Sequence, residues 1–248
     1  MNALEISEPY NTLFKKYGLS SFNDFIDKPI GNLLADEATR EIRKFDIEGQ
    51  TFFLKRVKKF KLSSALEALL QGHKPYSYSY REMIHVQMLK KAGIAVMSVA
   101  AVGERRSFGF PKESFIIVVG IEGQELALLY KASDPAGKLE ILKKLGALYA
   151  ELHHKGFFKP IRLTDIIQSN TGELTLIDRE TRHPYPRRFS HNRALNSFAQ
   201  AIYRQRRQGI DFNATEIDNL LRAYYSHCKD LWTDTELIFL KKAQKVLR

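Results

Sequence analysis

Glu41-Ile-Arg-Lys-Phe-Asp-Ile-Glu-Gly-Gln-Thr-Phe-Phe-Leu-Lys55 is the stretch that decides the fold. Apolar and polar residues alternate on either side of Glu48-Gly49, the pattern of two antiparallel strands joined at a glycine turn. In the second strand Phe53 and Lys55 fall on one face, Phe52 and Leu54 on the other. Residues 113–119 read as a central strand, and residues 79–91 as a helix ended by Gly93. Residues 138–154 predict an amphipathic helix, because Leu142, Leu145, Tyr149 and Leu152 fall at i, i+3, i+7 and i+10, and Gly156 closes it. Two short strands, 166–168 and 174–177, flank the turn Asn170-Thr-Gly172, and the second ends on Asp178. From about Asn192 the chain reads as helical, with Leu195, Phe198, Ala199 and Ile202 on one face.

Before the hairpin, Gly18 and Pro29 break up a stretch of mixed polarity that we read as a helical extension over 1–33. The basic stretch between 57 and 75 fits no single element. Strands thus dominate the first half and helices the second. This is an α+β, two-lobed pattern, with a β-rich lobe over 34–119 and a helical lobe over 120–248.

Composition limits the function classes. With 44% hydrophobic and 27% charged residues the chain is a folded protein, not a disordered one. Gly 14 and Pro 8 exclude collagen-like repeats. No apolar window approaches the roughly 20 residues of a membrane helix. The acidic first residues lack a basic leader, so no secretion signal is expected. A single cysteine, Cys228, can neither form an internal disulfide nor hold a metal alone. These features point to the cytoplasm. The net charge of +11 implies an anionic partner: nucleic acid, anionic lipid or a phosphorylated substrate. The absence of any recognised aromatic-basic nucleic-acid motif argues against the first.

Three residues invite chemistry. Glu82 continues the helical stripe of Val86 and Leu89, so its carboxylate faces the core and needs a cation, for which Lys55 is a candidate. Asp178 stands at a strand mouth just after a tight turn, where a carboxylate can hold Mg²⁺. Asp165 precedes the opposite strand of the same hairpin, which would bring both acids to one end of it. Taken singly, Lys55 reads as a solvated edge residue and each acid as a strand cap or turn residue. His153 and His154 have no Cys or acidic partner at metal-ligand spacing, and His153 reads as structural. Tyr76, Tyr78 and Tyr80 lead into the helix over 79–91, and Trp232 reads as packing.

The order lysine, helical glutamate, amphipathic helix ending Leu-His-x-x-Gly, acid, hairpin, aspartate is the layout of a protein-kinase-like phosphotransferase. Phe52-Phe-Leu-Lys-Arg56, Glu82 with Leu89-Lys-Lys-Ala-Gly-Ile94, Val99-Ala-Ala-Val-Gly-Glu-Arg105 and Ser114-Phe-Ile-Ile117 resemble the small lobe of the Kdo/WaaP lipopolysaccharide kinases. Leu152-His-His-Lys-Gly156 and Leu174-Thr-Leu-Ile-Asp178 resemble their catalytic half, and Leu221-Arg-Ala-Tyr224 also fits, so the likeness runs from about 40 to 225. It implies a kinase-like fold using ATP and Mg²⁺ to phosphorylate heptose or Kdo in the lipopolysaccharide inner core, an anionic glycolipid, at the cytoplasmic face of the inner membrane. By motif, Lys55 matches the lysine on the α- and β-phosphates, Glu82 its ion-pair partner and Asp178 the metal-binding aspartate. Val119 and Ile121 match the hinge that meets adenine through backbone groups.

The catalytic loop departs from the family. Leu163-Thr-Asp-Ile-Ile167 aligns with its end, so Asp165 replaces the metal-binding Asn, and Lys159, Pro160 or Ile161 falls where the catalytic Asp belongs. Either transfer proceeds without that base, with Asp165 as a displaced one, or the chain is a pseudokinase that binds nucleotide as a scaffold. No glycine-rich phosphate loop precedes Lys55, although the family commonly lacks one. The sequence leaves the oligomeric state open.

Overall fold

The computed structural model describes residues 2–60 and 75–247. Residues 61–74 of the basic stretch therefore lie outside the described residues. The chain divides into two units: Met1–Ile121 with Asp178–Pro184, and Glu122–Ile177 with Tyr185–Arg248.

The first unit is built on β1 (Asn2–Ile6), β2 (Asn32–Asp36), β3 (Arg40–Ile47), β4 (Gln50–Val57), β5 (Val99–Ser107) and β6 (Phe110–Val119). They form one antiparallel sheet in the order β1-β5-β6-β4-β3-β2. The expected hairpin is β3–β4. Ile47 pairs with Gln50, and Glu48 and Gly49 both take positive φ (51° and 80°), the requirement of a turn whose twist matches the strands. Lys55 sits mid-sheet on β4, flanked by Ile42 and Ile116.

The pleat divides β4 as its alternation requires. Phe52 and Leu54 are buried on one face, in a core with Phe45, Ile47, Phe115 and Ile117. That core is completed by α1 (Tyr10–Lys16) and α2 (Phe22–Asp27), whose Phe14, Phe22 and Phe25 are 0%, 4% and 0% exposed. Burying each contributes about 2 kcal/mol. Residues 1–33 thus depart from the helical extension read from sequence. Besides two helices they supply the edge strand β1, paired with β5 from Asn2↔Arg105 to Ile6↔Ala101, and part of the sheet's main core. Buried Arg56 locks α2 to the sheet, donating from Nε to the Phe25 carbonyl at 2.7 Å, from Nη1 to Glu41 at 2.6 Å and from Nη2 to the Lys28 carbonyl.

α3 (Tyr78–Lys91) packs against β5 and β6. The Ser77 hydroxyl caps its start by accepting from the Tyr80 amide, and Gly93 at φ 76° ends it. Val86 and Leu89 are buried as the stripe requires.

The second unit holds a small antiparallel sheet of β7 (Gln124–Glu125), β8 (Ile166–Gln168) and β9 (Leu174–Leu176). Its helices are α4 (Leu126–Ala132), α5 (Pro135–His154), α6 (His191–Arg206), α7 (Ala214–Cys228) and α8 (Glu236–Leu247). α5 starts on an Asp134 cap with Pro135 in its first turn, and buries Leu142, Leu145, Tyr149 and Leu152. It crosses α7 at Gly146, where a Cβ would lie 2.6 Å from the Leu220 carbonyl oxygen. His153 is the structural residue expected: fully buried among Phe158, Phe198 and Tyr224, with Nδ1 3.1 Å from the Tyr224 hydroxyl. Burial pushes its pKa down to about 3. Trp232 packs on His191, and Cys228 is buried.

Candidate active site

Lys55, Glu82 and Asp178 meet in the first unit. β4 carries Lys55 on the face opposite Phe52 and Leu54, and α3 turns Glu82 inward. Lys55 Nζ donates to Glu82 Oε1 and to Asp178 Oδ1, each at 3.0 Å. The three side chains are 22%, 4% and 50% exposed, so the lysine bridges a buried carboxylate and an open one. Burial works against the charge on Lys55, but Glu82 and then Asp178 more than offset it and hold its pKa above the ordinary value. Asp178 takes φ 52°, a backbone state that few residues other than glycine adopt. Such conformations persist where surrounding structure enforces them, often at functional sites. Just beyond it, Glu180 is held by Arg40 at 2.8 Å.

Asp165 belongs to the second unit, at the end of a short 3-10 turn (Leu163–Asp165). It is 2% exposed and is not free. Its carboxylate accepts from the Arg162 amide at 3.0 Å, from Arg162 Nε at 3.0 and 3.2 Å, and from Arg162 Nη2. Its own carbonyl accepts from the Ile177 amide at 2.8 Å, which registers the β8–β9 hairpin. A carboxylate clamped this way is already engaged by Arg162.

The loop before it holds Lys159, Pro160 and Ile161, the three residues that the sequence reading sets at the expected base position. Ile161 is 2% exposed and Leu163 fully buried, so both side chains are core. The Tyr149 hydroxyl, from α5, fixes Ile161 in place by donating to its carbonyl at 2.7 Å and accepting from its amide at 3.1 Å. Lys159 and Pro160 are half-buried. Sequence reasoning overlooked Arg162 and Tyr149. The i, i+3 spacing of Arg162 and Asp165 was the available signal.

At the hinge, the Val119 amide is committed to the Ser98 carbonyl at 2.9 Å and the Gly120 amide to the Thr51 carbonyl at 2.8 Å. Val119 is the last residue of β6 and Ile121 lies just past it, half-buried.

The residues fit a nucleotide and its metal. Among the described residues no group of three or more His, Cys, Asp or Glu could hold a metal by itself. Mg²⁺ does not need one, since it commonly takes one or two carboxylates and completes its shell with phosphate oxygens and water. Half-exposed Asp178 offers such a carboxylate beside an ammonium that Glu82 holds in place. Among the described residues no helix is long and apolar enough to cross a membrane.

Comparison with known proteins identifies the fold and the family. Across 99% of this chain and 100% of the other, the fold matches a solved structure of WaaP in complex with acyl carrier protein, with a TM-score of 0.67 and 16% identity. The fold is therefore α+β and protein-kinase-like, with a β-rich and a helical unit. The lipopolysaccharide core heptose(I) kinase WaaP of Escherichia coli is 23% identical over 159 residues, which cover 62% of this chain and 59% of that relative. A statistical model of the lipopolysaccharide kinase (Kdo/WaaP) family matches residues 68–224, a span that holds Glu82, Asp165 and Asp178 while Lys55 lies before it. The chain belongs to the lipopolysaccharide kinase (Kdo/WaaP) family.

Proposed function

We propose that this protein is an ATP-dependent kinase that phosphorylates a sugar, heptose or Kdo, of the lipopolysaccharide inner core. The observation that carries the reading is the double pairing of Lys55 with Glu82 and Asp178. In this reading Lys55 neutralises phosphate oxygens and Glu82 fixes where its ammonium stands. Asp178 holds Mg²⁺, and the backbone at Val119 and Ile121 meets the adenine. The bound Mg·ATP supplies the phosphoryl group and spreads its charge. Because that reaction rests mainly on positioning and electrostatics, a chain without a free general base still turns over, about 10²–10⁴-fold below one that has it. The net charge of +11 suits an anionic glycolipid at a membrane surface.

A second reading has its own support: Ile161 is buried where the base belongs and Asp165 is clamped by Arg162. On these grounds the chain would bind nucleotide without transfer and act as a scaffold in core assembly. Transfer of labelled phosphate from Mg·ATP to deacylated core oligosaccharide separates the two. The kinase reading expects slow transfer that Lys55→Ala and Asp178→Ala both abolish. Nucleotide binding with no transfer at any enzyme concentration refutes it and favours the scaffold.

A further inference from the structure

α3 carries a charge beside Glu82 that the proposed chemistry leaves unused. Arg81 is 9% exposed. Its Nε and Nη2 atoms are sealed from solvent and, among the described residues, have no hydrogen-bond partner. These two atoms form one edge of the guanidinium, the fork that grips two oxygens of a phosphate or carboxylate side by side. Other arginines of the same unit use that edge. Arg56 donates from Nε and Nη2 to the Phe25 and Lys28 carbonyls, and Arg106 from the same atoms to Glu104 and the Pro75 carbonyl. A guanidinium edge removed from water without an acceptor is strongly unfavourable, and here burial lowers the pKa of Arg81.

The charges around it point the same way. Arg81 stacks on the Tyr78 ring at 4.7 Å and also donates a side-chain hydrogen bond to Tyr78 that offsets part of its burial, and Arg40 lies against the same ring at 5.6 Å. Glu180, the carboxylate whose field reaches Arg81, is already held by Arg40 at 2.8 Å, while the field of Arg182 adds positive charge. Three cations against one committed carboxylate leave room for an anion.

We propose that the Nε–Nη2 edge of Arg81 is the seat of an oxyanion, a phosphate or carboxylate brought by a ligand, and that its occupation steadies α3 and with it Glu82, the next residue. The seat stands on the geometry alone; the link to turnover rests on the kinase reading. Two sources share this chemistry: an anionic group on the acceptor glycolipid, and free phosphate.

The test is calorimetric titration of inorganic phosphate into the full chain without nucleotide, for the natural protein, Arg81→Gln, Arg81→Lys and Lys55→Ala. The natural protein and Lys55→Ala should bind with similar affinity. Arg81→Gln should bind at least about tenfold more weakly, as expected when a charge-assisted fork is lost. Arg81→Lys, which keeps the charge but not the fork, should fall between and carries the test if Arg81→Gln does not fold. Equal binding by the natural and Arg81-substituted chains overturns the seat, as does loss of binding in Lys55→Ala alone. Transfer assays then identify the source. If the acceptor supplies the anion, Arg81→Gln raises KM and lowers kcat severalfold for a phosphorylated core oligosaccharide and changes neither for its dephosphorylated form. If free phosphate does, added phosphate speeds the natural chain on both acceptors and leaves Arg81→Gln unmoved. If neither pattern appears, the link to Glu82 is overturned. A chain that binds phosphate through Arg81 but never transfers it sinks the kinase reading and leaves the seat intact.

Discussion

Replacing Lys55 by methionine keeps the aliphatic stem in the sheet and removes only the charge. Glu82, with 4% of its side chain exposed, is then a buried carboxylate without its cation. At the observed 3.0 Å the gross attraction is about 5 kcal/mol for an effective dielectric near 20. Part of that offsets the desolvation of Lys55, and half-exposed Asp178 adds little because solvent screens it. Breaking a buried pair by removing one partner costs about 3–5 kcal/mol. With Lys55 still 22% exposed we expect the lower end, about 3 kcal/mol, in urea unfolding at pH 8. Lys55→Met with Glu82→Met should recover to within about 1 kcal/mol of the natural protein. A double variant no better than the single refutes the claim that this pair is buried and mutually dependent.

Arg162→Ala should destabilise by about 3 kcal/mol in urea unfolding, because it strands Asp165 in the core, and adding Asp165→Asn should restore most of the loss. Ile161→Asp should lower the melting temperature sharply, by forcing a charge into a position 2% exposed, whereas Pro160→Asp should fold normally. Pro160→Asp is thus the informative way to return an acid to the loop, and a rise in transfer rate up to about 10²-fold would show that a missing base limits turnover. His153, with a folded pKa of about 3, should cost the natural protein stability as pH falls from about 6.5 toward that value, by about 1.4 kcal/mol per pH unit. His153→Gln should flatten that slope in urea titrations between pH 4 and pH 7. Gly146→Ala should destabilise by roughly 1–3 kcal/mol, since its Cβ would press on the α7 backbone.

What the sequence disclosed follows from local rules. The period-2 pattern around Glu48-Gly49 located the β3–β4 hairpin and the face of Lys55. The 3.6-residue stripe of Val86 and Leu89 turns Glu82 inward, and an inward acid requires a cation, so the sequence itself pairs Glu82 with Lys55. The α5 stripe and the β8–β9 turn were legible for the same reason. Long-range packing was not. β1 is five residues of mixed polarity, and nothing local says that it pairs with β5. Phe14, Phe22 and Phe25 are apolar in any context, so their place in the sheet core is visible only in three dimensions. Arg81 and Arg162 escaped because an arginine on a helix or loop is ordinarily solvated, and only burial reveals otherwise.

The packing of α1 and α2 on the back of the sheet bears on how this protein can be handled. The family match begins at residue 68, after β1, β2, β3, β4 and Lys55. An expression boundary drawn there would amputate four of six strands. Even a gentler trim at residue 34 would uncover the greasy underside of the sheet and leave the Arg56 guanidinium, now bonded to the Phe25 and Lys28 carbonyls, without two of its acceptors. Truncates of either kind should be recovered as insoluble material, and inactivity in such preparations would say nothing about whether the intact protein is an enzyme.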